Sequence, residues 1–152
     1  MAHTNRGRVL LGGLLAGVVI NIFEFVTNGI VLKADWGQAM QALGKAPAPS
    51  ASAIAIYNIW GFLAGIAAVW IYAAIRPRYG AGAGTAVRAG IVTWGLTSLL
   101  ASLANYPSGV FPARLLVITS VVAFFEMIIA AVVGAWLYKE DAGAASVRSA
   151  AA

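Results

Sequence analysis

The chain has no cysteine, and its one histidine, His3, lies near the first residue. Without cysteine there are no disulfides, thiolate nucleophiles, iron–sulfur ligands or cysteine-linked lipid anchors. With a single imidazole in the N-terminal tail, haem and zinc sites built on histidine are excluded, and no metal or cofactor is expected. Charge is scarce as well. Only 10% of residues are Asp, Glu, Lys or Arg, and five of the 152 residues are acidic. Soluble domains carry about 25% charged residues, so an ordinary solvated surface is excluded. The glycine run at 80–84 is not a phosphate loop, because no Lys-Ser/Thr pair follows it.

Apolar residues fill the space left by charge: 61% of the chain is hydrophobic. Four long apolar runs stand out, at residues 9–32, 53–75, 86–104 and 115–138. The first and last are about 24 residues each, enough to cross a ~30 Å bilayer core at 1.5 Å per residue. The third is the weakest, being shorter and rich in Gly, Thr and Ser. Its Arg88 can snorkel to the near interface. The expected fold is all-α: a polytopic membrane protein with four transmembrane helices in one bundle. The single domain covers residues 9–138, between an N-terminal tail (1–8) and an Ala/Ser-rich, disordered tail (139–152). Arg6 and Arg8 before an apolar run imitate a signal peptide. The run continues through Asn21-Ile22-Phe23-Glu24-Phe25 with no small-residue cleavage site, so an uncleaved first helix is expected.

The connections differ in kind. In the first, Trp36, Met40 and Leu43 fall at helical spacing, which predicts a short amphipathic helix on the interface with Trp36 at head-group depth. Ala46-Pro47-Ala48-Pro49-Ser50 then leads stiffly into the second span, where Ser50 or Ser52 is a candidate cap. The second connection, 76–84, reads as a proline breaker followed by a flexible glycine run. The third, 105–112, reads as a compact turn.

Basic residues set the orientation. Arg6, Arg8, Arg76, Arg78, Arg88, Lys139 and Arg148 gather on one side, and Lys33, Lys45 and Arg114 on the other. The positive-inside rule puts both termini in the cytoplasm of a cell inner membrane. The net charge of +5 thus belongs to helix ends. The expected partners are the lipid bilayer and either a second copy, in a homodimer, or another membrane subunit. Nucleic acid is not expected.

Two acidic residues, Glu24 and Glu126, lie inside spans one and four. A carboxylate near mid-membrane costs about 2.5–3.5 kcal/mol on insertion scales, so such a group faces the bundle interior or a cavity and is a candidate functional site. Gly13, Gly17, Asn21, Glu24 and Asn28 follow one another at steps of four, four, three and four, on one helix face. Asn58, Gly61, Gly65 and Ala68 form a second stripe, Thr93, Thr97 and Ala101 a third, and Thr119, Ala123, Glu126, Ala130 and Gly134 a fourth. The small residues Gly13, Gly17, Gly61, Gly65 and Gly134 suit close helix packing. Glu24 and Glu126 are ~12 Å and ~16 Å from the outer ends of their spans, with Asn28 and Asn58 within ~8 Å. Close carboxylates in low dielectric do not both ionise cheaply, so a shared proton or a bound cation is their natural state. Trp60, Trp70, Trp94 and Trp136 read as interface or packing residues.

The segment Trp36-x-x-x-Met40 ending near Leu43-Gly44, the pair Asn105-Tyr106, and Gly134-x-Trp136 in the last helix resemble a bacterial family of small four-helix membrane proteins known only as a domain of unknown function. The likeness covers residues 9–138. Where that family has an aromatic-rich end to helix one, this chain has Asn21, Glu24 and Asn28. The resemblance implies a fold and no activity. Small multidrug exporters share four helices and a glutamate in helix one. Their first loop is shorter, and they have no counterpart of Glu126.

The polar faces allow two readings. In one, Glu24 and Glu126 are protonatable sites of a small proton- or cation-coupled transport protein, lined by Asn21, Asn28 and Asn58. In the other, the polar faces are interhelical glue in a non-catalytic scaffold or accessory subunit. An enzyme is not expected, because no nucleophile or cofactor motif accompanies the carboxyls.

Overall fold

Every element of the bundle is helical, and each helix begins and ends for a local reason. A computed structural model describes residues 4–139. His3, Arg148 and the expected disordered tail from residue 140 onward lie outside the described residues. Helix α1 (Arg6–Glu24) starts at Asn5, whose side-chain oxygen accepts from the Arg8 N–H at 3.0 Å. It continues without a break into a π-helical segment, Phe25–Val31. Helix α2 (Lys33–Ala42) follows as the short amphipathic helix of the first connection. Helix α3 (Ala51–Tyr79) is capped by Ser50, whose hydroxyl accepts from the Ala53 N–H at 3.2 Å. Helix α4 (Ala83–Trp94) passes through a second π-helical segment, Gly95–Leu99, into α5 (Leu100–Asn105) and a 3₁₀ turn, Tyr106–Ser108. Helix α6 (Ala113–Leu137) closes the bundle.

Among the described residues, four helical rods are long and apolar enough to cross a membrane: Arg6–Val31, Ala51–Tyr79, Ala83–Ser108 and Ala113–Leu137. The chain is an all-α, multi-pass membrane protein. Its lipid-facing surface carries Leu10, Leu14, Ile22, Leu63, Val117 and Trp136, all exposed.

The connection at 76–84 differs from expectation. It is not a long flexible loop, because α3 runs through Pro77 to Tyr79. A proline in the last turn removes one backbone donor. The turn still closes, with the Gly80 N–H on the Arg76 carbonyl at 2.8 Å. The reversal then takes only residues 80–82. Gly80 (φ +83°) and Gly82 (φ +131°) adopt a backbone that side-chain-bearing residues avoid. Thr85 ties the far side down by donating to the Gly80 carbonyl at 2.8 Å.

In lipid there is no hydrophobic drive between helices, so close packing of small residues holds them together. Helix α1 is gripped from two sides. A Cβ on Gly13 would lie 2.5 Å from the Ile66 Cα, and one on Gly17 would lie 2.7 Å from the Phe62 Cα. Gly65 of α3 presses on the backbone of Gly13 and Gly17 in return. On the other side, a Cβ on Gly12 would lie 2.5 Å from the Gly134 carbonyl oxygen. Gly90 of α4 meets the α6 backbone at Met127 and Ile128 in the same way. The buried core, with Ile20, Val69 and Met127 at its centre, fills what remains. Gly12, Gly13, Gly61 and Gly65 are therefore all occupied within one chain.

Gly65→Leu should overpack this seam and lower stability by about 1–3 kcal/mol or more. Gly84→Ala, where an added Cβ meets nothing within 4 Å, should leave it unchanged. Thermal unfolding in mild detergent compares them, and equal midpoints would reject the seam.

Candidate functional site: a buried carboxyl pair beneath a helical cap

Helices α1 and α6 run antiparallel. Gly12 lies against Gly134 at one end, and Leu32 clusters with Leu115 at the other. In that register residue 24 falls opposite about residue 122, which puts Glu126 roughly one turn, ~6 Å, further toward the chain termini. The fold thus brings together two carboxyls that are 102 positions apart in the sequence.

Their surroundings differ. Glu126 is 1% exposed, and its Oε1 has no hydrogen-bond partner among the described residues. Glu24 is half-buried, and its Oε2 accepts from the Asn28 amide at 2.5 Å. The Asn28 Oδ1 in turn accepts from the Trp36 indole N–H at 2.8 Å. The chain of bonds therefore leaves the membrane span and ends on α2.

Helix α2 covers this end of the bundle. Trp36 meets Phe111 edge-on at 5.6 Å between ring centroids. Leu32, Ala39 and Leu115, with Trp36 and Ile118 beside them, form a small apolar cluster separate from the main core. Asp35 pairs with Arg114 across the cap. With the Arg114 side chain 66% exposed, that ion pair is worth about 0–1 kcal/mol.

The five polar candidates separate into two groups. Glu24, Glu126 and Asn28 form the site just described. Asn21 instead donates to the Gly17 carbonyl (2.8 Å) and to the Asn58 backbone carbonyl (3.2 Å), tying α1 to α3. The Asn58 side chain is exposed and bonds its own helix at Ile54. Gly13, Gly17 and Asn21 meet α3, while Glu24 is tied toward the cap through Asn28. The aligned threonines Thr93, Thr97 and Thr119 bond carbonyls of their own helices.

Three features went unread in the sequence. Trp36 is half-buried and bonded inward to Asn28. A buried indole needs a hydrogen-bond partner, and Asn28 eight positions earlier was the available signal. Ser120 is buried with its hydroxyl unpartnered. The third feature is the pair of π-helical segments. One begins directly after Glu24, and the other directly after Trp94. Trp94 stacks edge-on against Phe124 and donates to the Ser120 carbonyl at 2.8 Å. Both segments therefore begin at the level of α6 residues 120–124, beside the carboxyls. Such π-helical irregularities are frequent at functional sites.

Two surface grooves, of about 540 and 310 Å³, lie toward the opposite end of the bundle. Tyr72, Ala86 and Trp136 line the first, and Arg6, Ile66 and Trp70 the second. Neither reaches a glutamate. Comparison of the chain with family models, curated proteins and solved structures gives no match.

A buried carboxyl without a donor is destabilising, so replacing it with an apolar group of similar volume should help the fold. Glu126→Met should raise stability by about 1–3 kcal/mol. Glu24→Met should not, because it strands the Asn28 amide. If Glu126→Met instead lowers the unfolding temperature, Glu126 is an interhelical tie.

Proposed function

We propose that this protein is a small inner-membrane transport protein that moves a proton, or a small cation, through the pair Glu24 and Glu126. The observation that carries this reading is the unpartnered oxygen of a fully buried Glu126, about one turn along the bundle from the level of Glu24. A glutamate kept as glue would bond a neighbouring helix. Glu24 bonds Asn28, one turn on in its own helical rod. Other groups make the cross-helix ties, Asn21 to α3 and Trp94 to α6.

Two adjacent carboxyls in low dielectric do not both carry charge. A proton on one of them, or one monovalent cation near both, relieves that cost. The closed surroundings of Glu126 favour the smaller of these, a proton. The accessory-subunit reading draws support from the same closed packing, since neither surface groove reaches the pair.

For orientation, Arg6, Arg8, Arg76, Arg78, Arg88 and Lys139 lie toward one end of the bundle, and Lys33, Lys45 and Arg114 toward the α2 end. The positive-inside rule makes the first end cytoplasmic and the α2 end external. The likeness of Trp36, Met40, Asn105 and Gly134 to a bacterial family is the ground for an inner membrane. We propose no bond-making reaction.

Liposomes holding the purified protein and a pH-sensitive dye test the proposal. Under an imposed pH gradient, the parent chain should dissipate the gradient. Glu24→Gln and Glu126→Gln should abolish flux while keeping the thermal unfolding of the parent. Flux retained in both variants would reject transport through the pair. Reporter fusions should read cytoplasm after Tyr79 and the outside near Pro47. The reverse result would invert the topology.

A further inference from the structure

We propose that α2 is the external gate of the carboxyl pair, and that Trp36 is the positioning residue through which the gate's state reaches Glu24. This rests on the reading that the pair exchanges a proton or cation.

The geometry of three groups carries the inference. An indole N–H can only donate. By bonding the Asn28 Oδ1, Trp36 fixes which way the amide points, with its NH₂ toward Glu24 Oε2. Turned over, the amide would face its NH₂ toward another donor. While α2 is docked, Glu24 therefore meets a donor. When α2 lifts, the amide is free to turn and offer Glu24 an acceptor, which a carboxyl can bond only when it carries a proton. The position of the cap and the proton on Glu24 are thus coupled through one amide.

The cap is built to move as a unit. Its hold on the bundle is the small cluster around Leu115, the Trp36–Phe111 edge contact and the exposed Asp35–Arg114 pair, all apart from the main core. Elements with few buried contacts open at low free energy. On one side α2 joins the π-helical segment at Leu32 (φ −97°, ψ 10°). On the other side Gly44 turns at φ +69° into the proline-containing lead to α3. Both ends of the cap are therefore non-helical joints.

The chain lacks cysteine, so introduced thiols are unique. The test uses the full chain in nanodiscs with the double variant D35C/R114C. A short bifunctional thiol reagent joins the pair, and a reductant releases it. A water-soluble carbodiimide with an amine nucleophile probes carboxyl access, and dicyclohexylcarbodiimide probes the same carboxyls from the lipid. Peptide mass spectrometry quantifies adducts on Glu24 and Glu126. Aqueous labelling scales with the open fraction, so bridging should lower it at Glu24 by about tenfold or more, and reduction should restore it. Labelling from the lipid should change less than about twofold.

Equal aqueous labelling with the bridge closed and open would overturn the gate. Labelling of neither carboxyl from the lipid across about pH 5–9 would instead overturn the protonatable pair itself. Trp36→Phe keeps the ring and removes the N–H. It should raise aqueous labelling of Glu24 about threefold or more and shift its pH profile at unchanged unfolding temperature. An unchanged profile would overturn the positioning role of Trp36.

Discussion

The bundle depends on the approach of α1 to two neighbours at once. Gly13 and Gly17 let α3 reach the α1 backbone, and Gly12 lets α6 do the same from the other side. Between helices in lipid, such contact is what replaces the hydrophobic effect. It also sets register. Once Gly12 opposes Gly134, Glu24 and Glu126 are bound to fall within about a turn of each other. The same contacts close lipid away from Glu126, which α6 would otherwise expose. The placement of the site is thus a consequence of where the glycines lie.

Beyond that seam the molecule divides by depth. Toward the termini, small residues and a continuous core pack the four rods together. Toward α2 both α1 and α4 leave α-helical geometry, and a second, small cluster holds the cap. The polar groups follow the same division. Asn21 closes a seam in the tight half, while Asn28 carries a bond from the loose half to Glu24. A rigid base with a lightly held end is the arrangement expected of a protein that exposes one buried group on demand.

The four spans, the two glutamates and the small-residue stripes were legible because each rests on a strong local signal: length, charge in an apolar run, or spacing of four. The division of the polar stripe was harder. By spacing the five residues share an arc of about 80°, and only their bonds separate Asn21, tied to α3, from Glu24, tied to the cap. The π-helical segments left no local signal, since one extra residue in a helical turn leaves composition untouched. Trp36 was given to the head groups because an interfacial tryptophan is the common case. Its bond to Asn28 depends on how α2 folds back, which spacing alone does not state. At 76–84, proline and glycine suggested a loop, but a proline in a last turn removes a single donor and the helix persisted.

What remains is a local rule broken within α6, where the Ser120 hydroxyl and a Glu126 oxygen are buried without partners. Asn5 and Ser50 cap the helices they begin, and Thr93, Thr97 and Thr119 bond their own helix backbones. Among the described residues, Glu126 alone combines full burial, a titratable group and an oxygen without a partner. Folding alone does not account for it, because an apolar side chain of the same volume would pack there without the desolvation penalty. A position at which sequence and stability disagree is where function is expected to reside. Here the disagreement lies one turn from a carboxyl whose only described bond leads, through Asn28 and Trp36, to the short helix that caps the bundle.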